Sequence, residues 1–279
     1  MKKTILLLLI TLTLNAQERI IALSPAINEI IFALGAGDEI IANTDYALYP
    51  KASIALPKVG GYFSPNLEKI IALRPTLVIM QNNNYKLSLK LQRLGIKTKV
   101  IKIDRLKSIK KAIQEIGQLL KKEKKAESIL QEINKALKEI KNIVSKKRIL
   151  IVFGSNTDLS RHIFVAGQNL YFDDIIKESN NSNALNSTRK GQPILSMENI
   201  IACNPDIVLL LARNTQNSLS DKVLINPWLA LPISASHYKA IYINRESYAG
   251  IPSNRLILFL KDFKFMLQNY KKRTHAPSK

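Results

Sequence analysis

The chain has 279 residues, 46% of them hydrophobic, which is enough for a core in one large or two small domains. Lysine and arginine number 42 and aspartate and glutamate 21, so the formal net charge is +21. This composition excludes an acidic disordered chain, and a single cysteine, Cys203, excludes a disulfide scaffold. Beyond the N-terminus, no apolar run reaches the roughly 18 residues that a membrane-spanning helix needs.

The N-terminal residues have the layout of a secretory signal peptide. Two lysines precede an apolar stretch, and the small residue Ala16 follows it. We therefore predict a signal peptide over residues 1–16, cleaved near Ala16. The segment contains no cysteine at its end, so we expect no lipid attachment there and a mature protein in the periplasm.

Residues 17–105 alternate short apolar strands with amphipathic helices. The strand from Arg19 to Leu23 leads into Ser24 and a helical stretch, NEIIFALG. The segment from Asn66 to Met80, NLEKIIALRPTLVIM, begins with a helix N-cap, continues as a short helix that ends before proline, and finishes as an apolar strand. This alternation predicts a parallel sheet with crossover helices, which binds ligands beyond the carboxyl ends of its strands.

The middle of the chain, residues 106–147, is predicted to form connecting helices. From Glu123 to Val144, apolar residues recur at three- and four-residue steps, which indicates one amphipathic helix about 33 Å long. Residues 86–147 hold 19 basic and 6 acidic residues, a net charge of +13. Because these charges are not interleaved with aromatic residues, they favour a solvated helix face, and we expect no nucleic-acid partner.

The C-terminal part, residues 148–279, repeats the pattern of the N-terminal part. The segment from Ser196 to Leu211, SMENIIACNPDIVLLL, matches the segment from Asn66 with a constant offset of 130 residues, and Glu68 aligns with Glu198. We therefore predict an α/β fold of two related, Rossmann-like lobes with parallel sheets. A long rigid α-helix joins the lobes, and a ligand cleft lies between them.

Motifs of enzymatic chemistry are absent from the sequence. It contains no G-x-S-x-G elbow, no H-E-x-x-H motif and no phosphate-binding loop, and only three histidines. The sequence therefore favours a binding protein over an enzyme. A periplasmic enzyme or a sensor domain on the same two-lobed scaffold stays open as the alternative.

Several segments together resemble the periplasmic iron-chelate and vitamin B12 binding proteins of ABC importers. They are RIIALSPAINEIIFALG, LPKVGGYFSPNLEKIIALRPTLVIM, FVAGQNLYFDDIIKE and PILSMENIIACNPDIVLLL. The resemblance covers nearly all of the mature chain. It implies a monomer that binds one metal chelate in a shallow cleft between the lobes, with an ABC permease dimer and its ATPase as partners. In that family one glutamate on each lobe docks onto the permease, which implies this function for Glu68 and Glu198.

The resemblance leaves the ligand open. A ferric siderophore and cobalamin rank level as candidates, and haem ranks below them. It implies no resident cofactor. Some siderophore-binding members place a His and a Tyr on iron, and Tyr248 is the candidate for that tyrosine, but the stretch where the histidine is expected reads NSTRKGQ and contains none. We therefore predict no protein metal site. Tyr62 aligns with an aromatic that lines the cleft in B12-binding members, and further aromatic residues lie near the strand ends. Arginines near those ends would bind an anionic ferric chelate. The full set of candidate ligand-binding residues is Tyr46, Tyr62, Phe63, Phe153, Arg189, Arg213, Arg245 and Tyr248.

Overall fold

A computed structural model of the chain describes residues 18–160, 162–188, 191–214 and 219–275. The predicted signal peptide lies outside these ranges. Within them, no helix is both long and apolar enough to cross a membrane.

The first sheet has four parallel strands in the order β2-β1-β3-β4. Its two central strands are almost wholly buried, as expected for a parallel sheet covered on both faces. The strands are β1 (Ile20–Ala22), β2 (Ile40–Asn43), β3 (Leu77–Gln81) and β4 (Lys97–Ile101). The helices are α1 (Pro25–Ala33), α2 (Leu67–Ala72) and α3 (Tyr85–Arg93), with short 3-10 turns at Gly37–Glu39, Lys51–Ile54 and Asn82–Asn84.

The second sheet is separate from the first and has the order β10-β9-β5-β6-β8. Its strands are β5 (Arg148–Phe153), β6 (Ile163–Val165), β7 (Ser182–Asn183), β8 (Ile194–Leu195), β9 (Ile207–Leu211) and β10 (Ile241–Asn244). Its helices are α6 (Tyr171–Glu178), α7 (Met197–Cys203), α8 (Asp221–Leu229), α9 (Ser234–His237) and α10 (Leu256–His275). Two lobes with separate sheets are thus confirmed.

One edge of the second sheet differs from the predicted all-parallel pattern. Strands β5, β9 and β10 are parallel, but β6 runs antiparallel to the last residues of β5, and β8 runs antiparallel to β6. The short strand β7 pairs in parallel with the first two residues of β5. A hairpin therefore follows β5 where the first lobe has helix α1 after β1.

The repeat has the same local geometry in both lobes. Asn66 caps α2, its side chain accepting a hydrogen bond from the Lys69 backbone N–H at 2.8 Å. Ser196 caps α7 in the same way, accepting from the Asn199 N–H at 3.3 Å. Each cap satisfies a backbone donor that the first turn of a helix otherwise leaves unpaired.

The connecting segment is a helical hairpin of α4 (Leu106–Leu119) and α5 (Glu123–Ile140). Lys121 turns the chain between them with φ 55°, and the Lys122 N–H donates to the Gly117 carbonyl at 2.7 Å. The prediction that α5 continues to residue 144 was wrong, because Lys141 is extended and Asn142 has φ 60°.

The hairpin packs between the lobes. One contiguous cluster of buried apolar side chains includes Ile27 of the first lobe, Ile133 of α5 and Phe259 of the second lobe. The connecting helices are therefore a layer of a shared core. They do not form an isolated rod that holds two separate bodies apart.

Two ion pairs also join the lobes. Glu29 of α1 pairs with Arg255, and both side chains are almost completely buried. The Arg255 guanidinium also lies 3.9 Å from the centre of the Tyr49 ring. At the start of α4, Arg105 pairs with Asp174 of α6, whose carboxylate also accepts the Leu106 N–H at 2.8 Å. These contacts fix the lobes at two points of their junction.

Candidate ligand-binding cleft

A cleft lies between the lobes, where the carboxyl ends of the parallel strands of both sheets meet. Its volume is about 790 Å³. Helix α1, the loop around Tyr62 and the end of β3 contribute from the first lobe, and the end of β5, the start of α6 and residues 250–252 contribute from the second. This position is the usual ligand site of open α/β sheets, and the volume suits a small-molecule ligand.

Three of the candidate aromatic residues of the first lobe line this cleft: Tyr46, Tyr62 and Phe63. Phe63 is 82% exposed and Tyr46 is 64% exposed, so both present apolar rings to the open cleft. The Tyr62 and Phe63 rings meet edge to face with centres 4.5 Å apart. Such exposed rings bury a large apolar area when a ligand covers them.

Tyr62 is held by hydrogen bonds at both ends. Its hydroxyl donates to Gln81 Oε1 at 2.9 Å, and Gln81 Nε2 donates to the Ser24 hydroxyl at 2.9 Å. Ser24 in turn caps α1, while Asn84 Nδ2 donates to the Tyr62 carbonyl at 2.9 Å. Burial raises the pKa of Tyr62, so its phenol is neutral at physiological pH. The ring is therefore fixed before any ligand arrives.

The facing wall belongs to the second lobe and is also aromatic. Phe153 ends β5, and its ring centre lies 5.7 Å from that of Phe172. Tyr171 also lines the cleft, and its hydroxyl donates to the Ala249 carbonyl at 3.2 Å. Phe153 was predicted, but Tyr171 and Phe172 were missed. The available signal was an aromatic pair at the start of a helix, within a segment that already carried the family resemblance.

The charged side chains that line the cleft are acidic. Asp45 and Asp104 reach it, and none of the described lining residues is a lysine, arginine or histidine. Burial tends to raise the pKa of Asp104, but hydrogen bonds from Lys102 and Ser108 outweigh burial and lower it. Asp104 is therefore ionised, and its carboxylate pairs with Lys102 at 3.1 Å.

Three further candidates, Arg213, Arg245 and Tyr248, are not among the described residues that line the cleft, and their ligand contacts stay predictions. Arg245 donates to Asp221 and to the Leu219 carbonyl. The Tyr248 hydroxyl donates to Asp262 of α10 at 2.7 Å. Arg213 is exposed after β9, and Arg189 lies outside the described residues.

Glu68 and Glu198 occupy equivalent places in the two lobes. Each is exposed in the first turn of its helix, two residues after the N-cap. A crossover helix runs opposite to the strands it connects, so the N-termini of α2 and α7 lie at the cleft side of each lobe. A hydrogen bond from Ser196 lowers the pKa of Glu198, which keeps its carboxylate charged.

The described residues contain no group of three or more His, Cys, Asp or Glu side chains that could hold a metal ion.

The family model described as periplasmic binding protein matches residues 20–242, four fifths of the chain and both lobes. The chain belongs to this family. A vitamin B12-binding protein of Vibrio parahaemolyticus is 28% identical over 225 residues, which cover 78% of each chain.

Solved structures have the same fold. The periplasmic vitamin B12 binding protein BtuF of Vibrio cholerae has a TM-score of 0.77 at 20% identity, over 91% of this chain and 98% of that one. The periplasmic heme binding protein HutB of Vibrio cholerae has a TM-score of 0.75 at 25% identity, over 90% of this chain and 99% of that one. The two-lobed fold therefore serves more than one kind of chelate.

Proposed function

We propose that this protein is the periplasmic substrate-binding component of an ABC importer and that it captures a corrinoid, a metal chelate of the vitamin B12 type. The observation that carries the choice of ligand is a cleft with aromatic walls, whose charged lining residues, among those that the structure describes, are both carboxylates. The same proposal includes export with cleavage near Ala16 and a monomeric mature protein. Its partners are a permease dimer and the ATPase of the importer. In this proposal the protein binds its ligand and delivers it to the permease without catalysing a reaction.

The charge of the cleft separates the candidate chelates. Haem carries two propionate carboxylates, and many ferric siderophores are anionic, so both would bring further negative charge to a cleft whose described charged lining residues are Asp45 and Asp104, the latter paired with Lys102 at 3.1 Å. The periphery of a corrinoid consists mainly of neutral amides. Amide N–H groups can donate to these carboxylates, whereas a second carboxylate cannot.

The aromatic walls suit a flat macrocycle. Tyr46, Tyr62 and Phe63 face the cleft from one lobe, and Phe153 and Tyr171 face it from the other. A macrocycle between the lobes would lie against these walls, and the exposed rings of Tyr46 and Phe63 would lose apolar area on binding. The neutral, hydrogen-bonded phenol of Tyr62 supports a packing contact, because metal ligation would require its hydroxyl to leave Gln81 and lose its proton.

Direct titration tests the proposal. Calorimetry on the purified mature protein would compare cyanocobalamin, haem and an anionic ferric siderophore under the same conditions. We expect saturable binding of cyanocobalamin, with the other two bound at least tenfold more weakly. Tight binding of the siderophore or haem without binding of cyanocobalamin would overturn the choice of ligand. No binding of any of the three would overturn chelate capture itself.

Substitution of the two acidic residues tests separately whether their charge selects the ligand. Replacing both acids, Asp45→Asn with Asp104→Asn, keeps the size of the side chains and removes their charge. We expect the doubly substituted protein to bind the anionic siderophore or haem more tightly than the natural protein does. An unchanged preference would show that these carboxylates do not select the ligand.

A further inference from the structure

Helices α2 and α3 cover the same face of the first sheet. Ile70 of α2 and Leu91 of α3 belong to one cluster of buried apolar residues, which is separate from the core that α4 and α5 share with both lobes. None of the described residues that line the cleft belongs to α2 or α3. The outer side of this helix pair therefore lies to the side of the cleft.

The charge on this outer side is of one sign. Residues 69–103 contain eight basic residues and no aspartate or glutamate. Five of these cations are exposed on α2, on α3 or just after α2, and none of the five forms an ion pair with a carboxylate that the structure describes. They are Lys69, Arg74, Lys86, Lys90 and Arg93.

The repeat in the second lobe provides an internal comparison. The equivalent window lies 130 residues later, at residues 199–233, and holds two basic and two acidic residues. Helix α5 is balanced as well, with four lysines and four glutamates. The unbalanced positive charge of α2 and α3 is therefore a local feature and does not simply follow from a basic chain.

Apolar side chains stand between these cations. Tyr85 and Leu94 are more than half exposed, and Ile71 and Leu89 are each 39% exposed. Helix α3 buries Leu91 against the sheet, so its opposite side presents Tyr85 and Leu89 to solvent. Helices that lie on a bilayer combine lysines with apolar residues in this way, and tyrosine is enriched at the level of the lipid headgroups.

The exposed cations and apolar side chains of α2 and α3 together are called the α2–α3 face. Lysine is depleted in protein–protein interfaces, and a site for single-stranded nucleic acid would need several aromatic residues for base stacking. Clusters of roughly four to eight lysines and arginines bind anionic lipid surfaces. We propose that the α2–α3 face is a membrane-contact surface that binds the anionic phospholipid headgroups of a bilayer.

The position of this face leaves the cleft free. Because the face lies to the side of the cleft, the protein can bind a ligand while it rests on a bilayer. Such contact would hold the protein at the membrane in which an importer lies. This use in the cell rests on the proposed function, whereas the binding of a bilayer does not.

Vesicle co-sedimentation of the purified mature protein, without any chelate, tests the proposal. Vesicles of phosphatidylcholine alone are compared with vesicles that also contain phosphatidylglycerol, at low and at high salt. We expect binding to the anionic vesicles only, and weaker binding at high salt because salt screens exposed charges. Equal binding to both kinds of vesicle would overturn the proposal. No binding to either would also overturn it, and an acidic protein surface would then be the better partner for these cations.

A variant of α3 assigns the binding to this face. The triple substitution Lys86→Gln, Lys90→Gln and Arg93→Gln removes three charges from exposed positions of the helix. We expect its dissociation constant for the anionic vesicles to rise at least about tenfold, because each cation near an anionic surface adds to the affinity.

The matched control removes three charges from α5. Lys124, Lys135 and Lys138 are exposed there, and their replacement by glutamine lowers the net charge of the protein by the same amount. We expect this control to weaken vesicle binding less than about threefold, since its charges lie outside the contact. If both triple variants lost affinity equally, net charge alone would explain the binding and the proposal would be overturned.

These outcomes are distinct from those that test the proposed function. If cyanocobalamin binds by calorimetry while anionic vesicles do not retain the protein, the corrinoid function stands and the membrane-contact surface fails. If anionic vesicles retain the protein through α3 while no chelate binds, the membrane-contact surface stands and the corrinoid function fails.

Discussion

At the scale of single residues, hydrogen-bond partners separate the candidates that line the cleft from those that serve the fold. Tyr62 lines the cleft and is anchored by Gln81, whereas Arg245, predicted to bind an anion, pairs with Asp221. The sequence could not show this, because Asp221 and Arg245 are 24 residues apart and only the fold brings them together. The aromatic candidates could be chosen from the sequence, because aromatic residue types stand near the ends of predicted strands and Tyr62 lies in a segment that carries the family resemblance.

Gln81 is expected to act on the ligand through Tyr62. In Gln81→Leu the Tyr62 hydroxyl loses its acceptor, so the ring is less well fixed, and we expect the dissociation constant for the chelate to rise about threefold to tenfold. The same substitution in a Tyr62→Phe background should have little effect, because no hydroxyl is left to orient. Calorimetry on the natural protein, the two single variants and the double variant gives the coupling free energy between Gln81 and the Tyr62 hydroxyl in ligand binding. Equal losses in both backgrounds would mean that Gln81 contacts the ligand independently of Tyr62.

At the scale of helices and strands, the repeated segment was predictable because the N-cap, the acid, the proline and the strand occur in the same order in both lobes. The antiparallel strands were not predictable. Strand β6 has three residues and β8 has two. Segments this short cannot show the alternation of apolar and polar residues that distinguishes a strand from a loop. The end of α5 was misplaced because apolar spacing continues to Val144, although Asn142 already leaves the helical conformation.

Gly117 shows why the α4–α5 hairpin is tight. A Cβ atom added there would lie 2.6 Å from the Cβ atom of Ala126, closer than real side chains approach. We expect Gly117→Ala to destabilise the protein by about 1–3 kcal/mol, despite the higher helix propensity of alanine. Urea unfolding measures the change. Adding Ala126→Gly returns the space, so the double variant should recover most of the loss. A stable Gly117→Ala protein would mean that the two helices can move apart freely.

At the scale of the whole molecule, buried charge contributes to the junction of the lobes. Removing one member of the Glu29–Arg255 pair leaves a buried, uncompensated charge, so we expect Arg255→Met to cost about 3–5 kcal/mol of unfolding free energy. Lys264→Met is the matched control, because its pair with Glu139 joins α10 to α5 at the exposed surface, where solvent screens the charges, and its loss should change the unfolding free energy much less. Urea unfolding measures both variants. A similar loss of unfolding free energy in the two would contradict the expectation that the buried pair contributes more than the exposed one.

The two exposed glutamates give a test of docking. We expect Glu68→Ala with Glu198→Ala to leave chelate affinity unchanged and to abolish uptake by cells that depend on the importer, because one carboxylate is lost from each lobe. The control, Glu127→Ala with Glu132→Ala, removes the same charge from the exposed face of α5. Normal uptake by the first variant would exclude these residues as the docking contacts.

The shared core has a mechanical consequence for the transport cycle. Because α4 and α5 are buried between the lobes, a large swing of one lobe against the other would expose apolar side chains of this cluster to water. We therefore expect the outline of the protein to change little when the ligand binds.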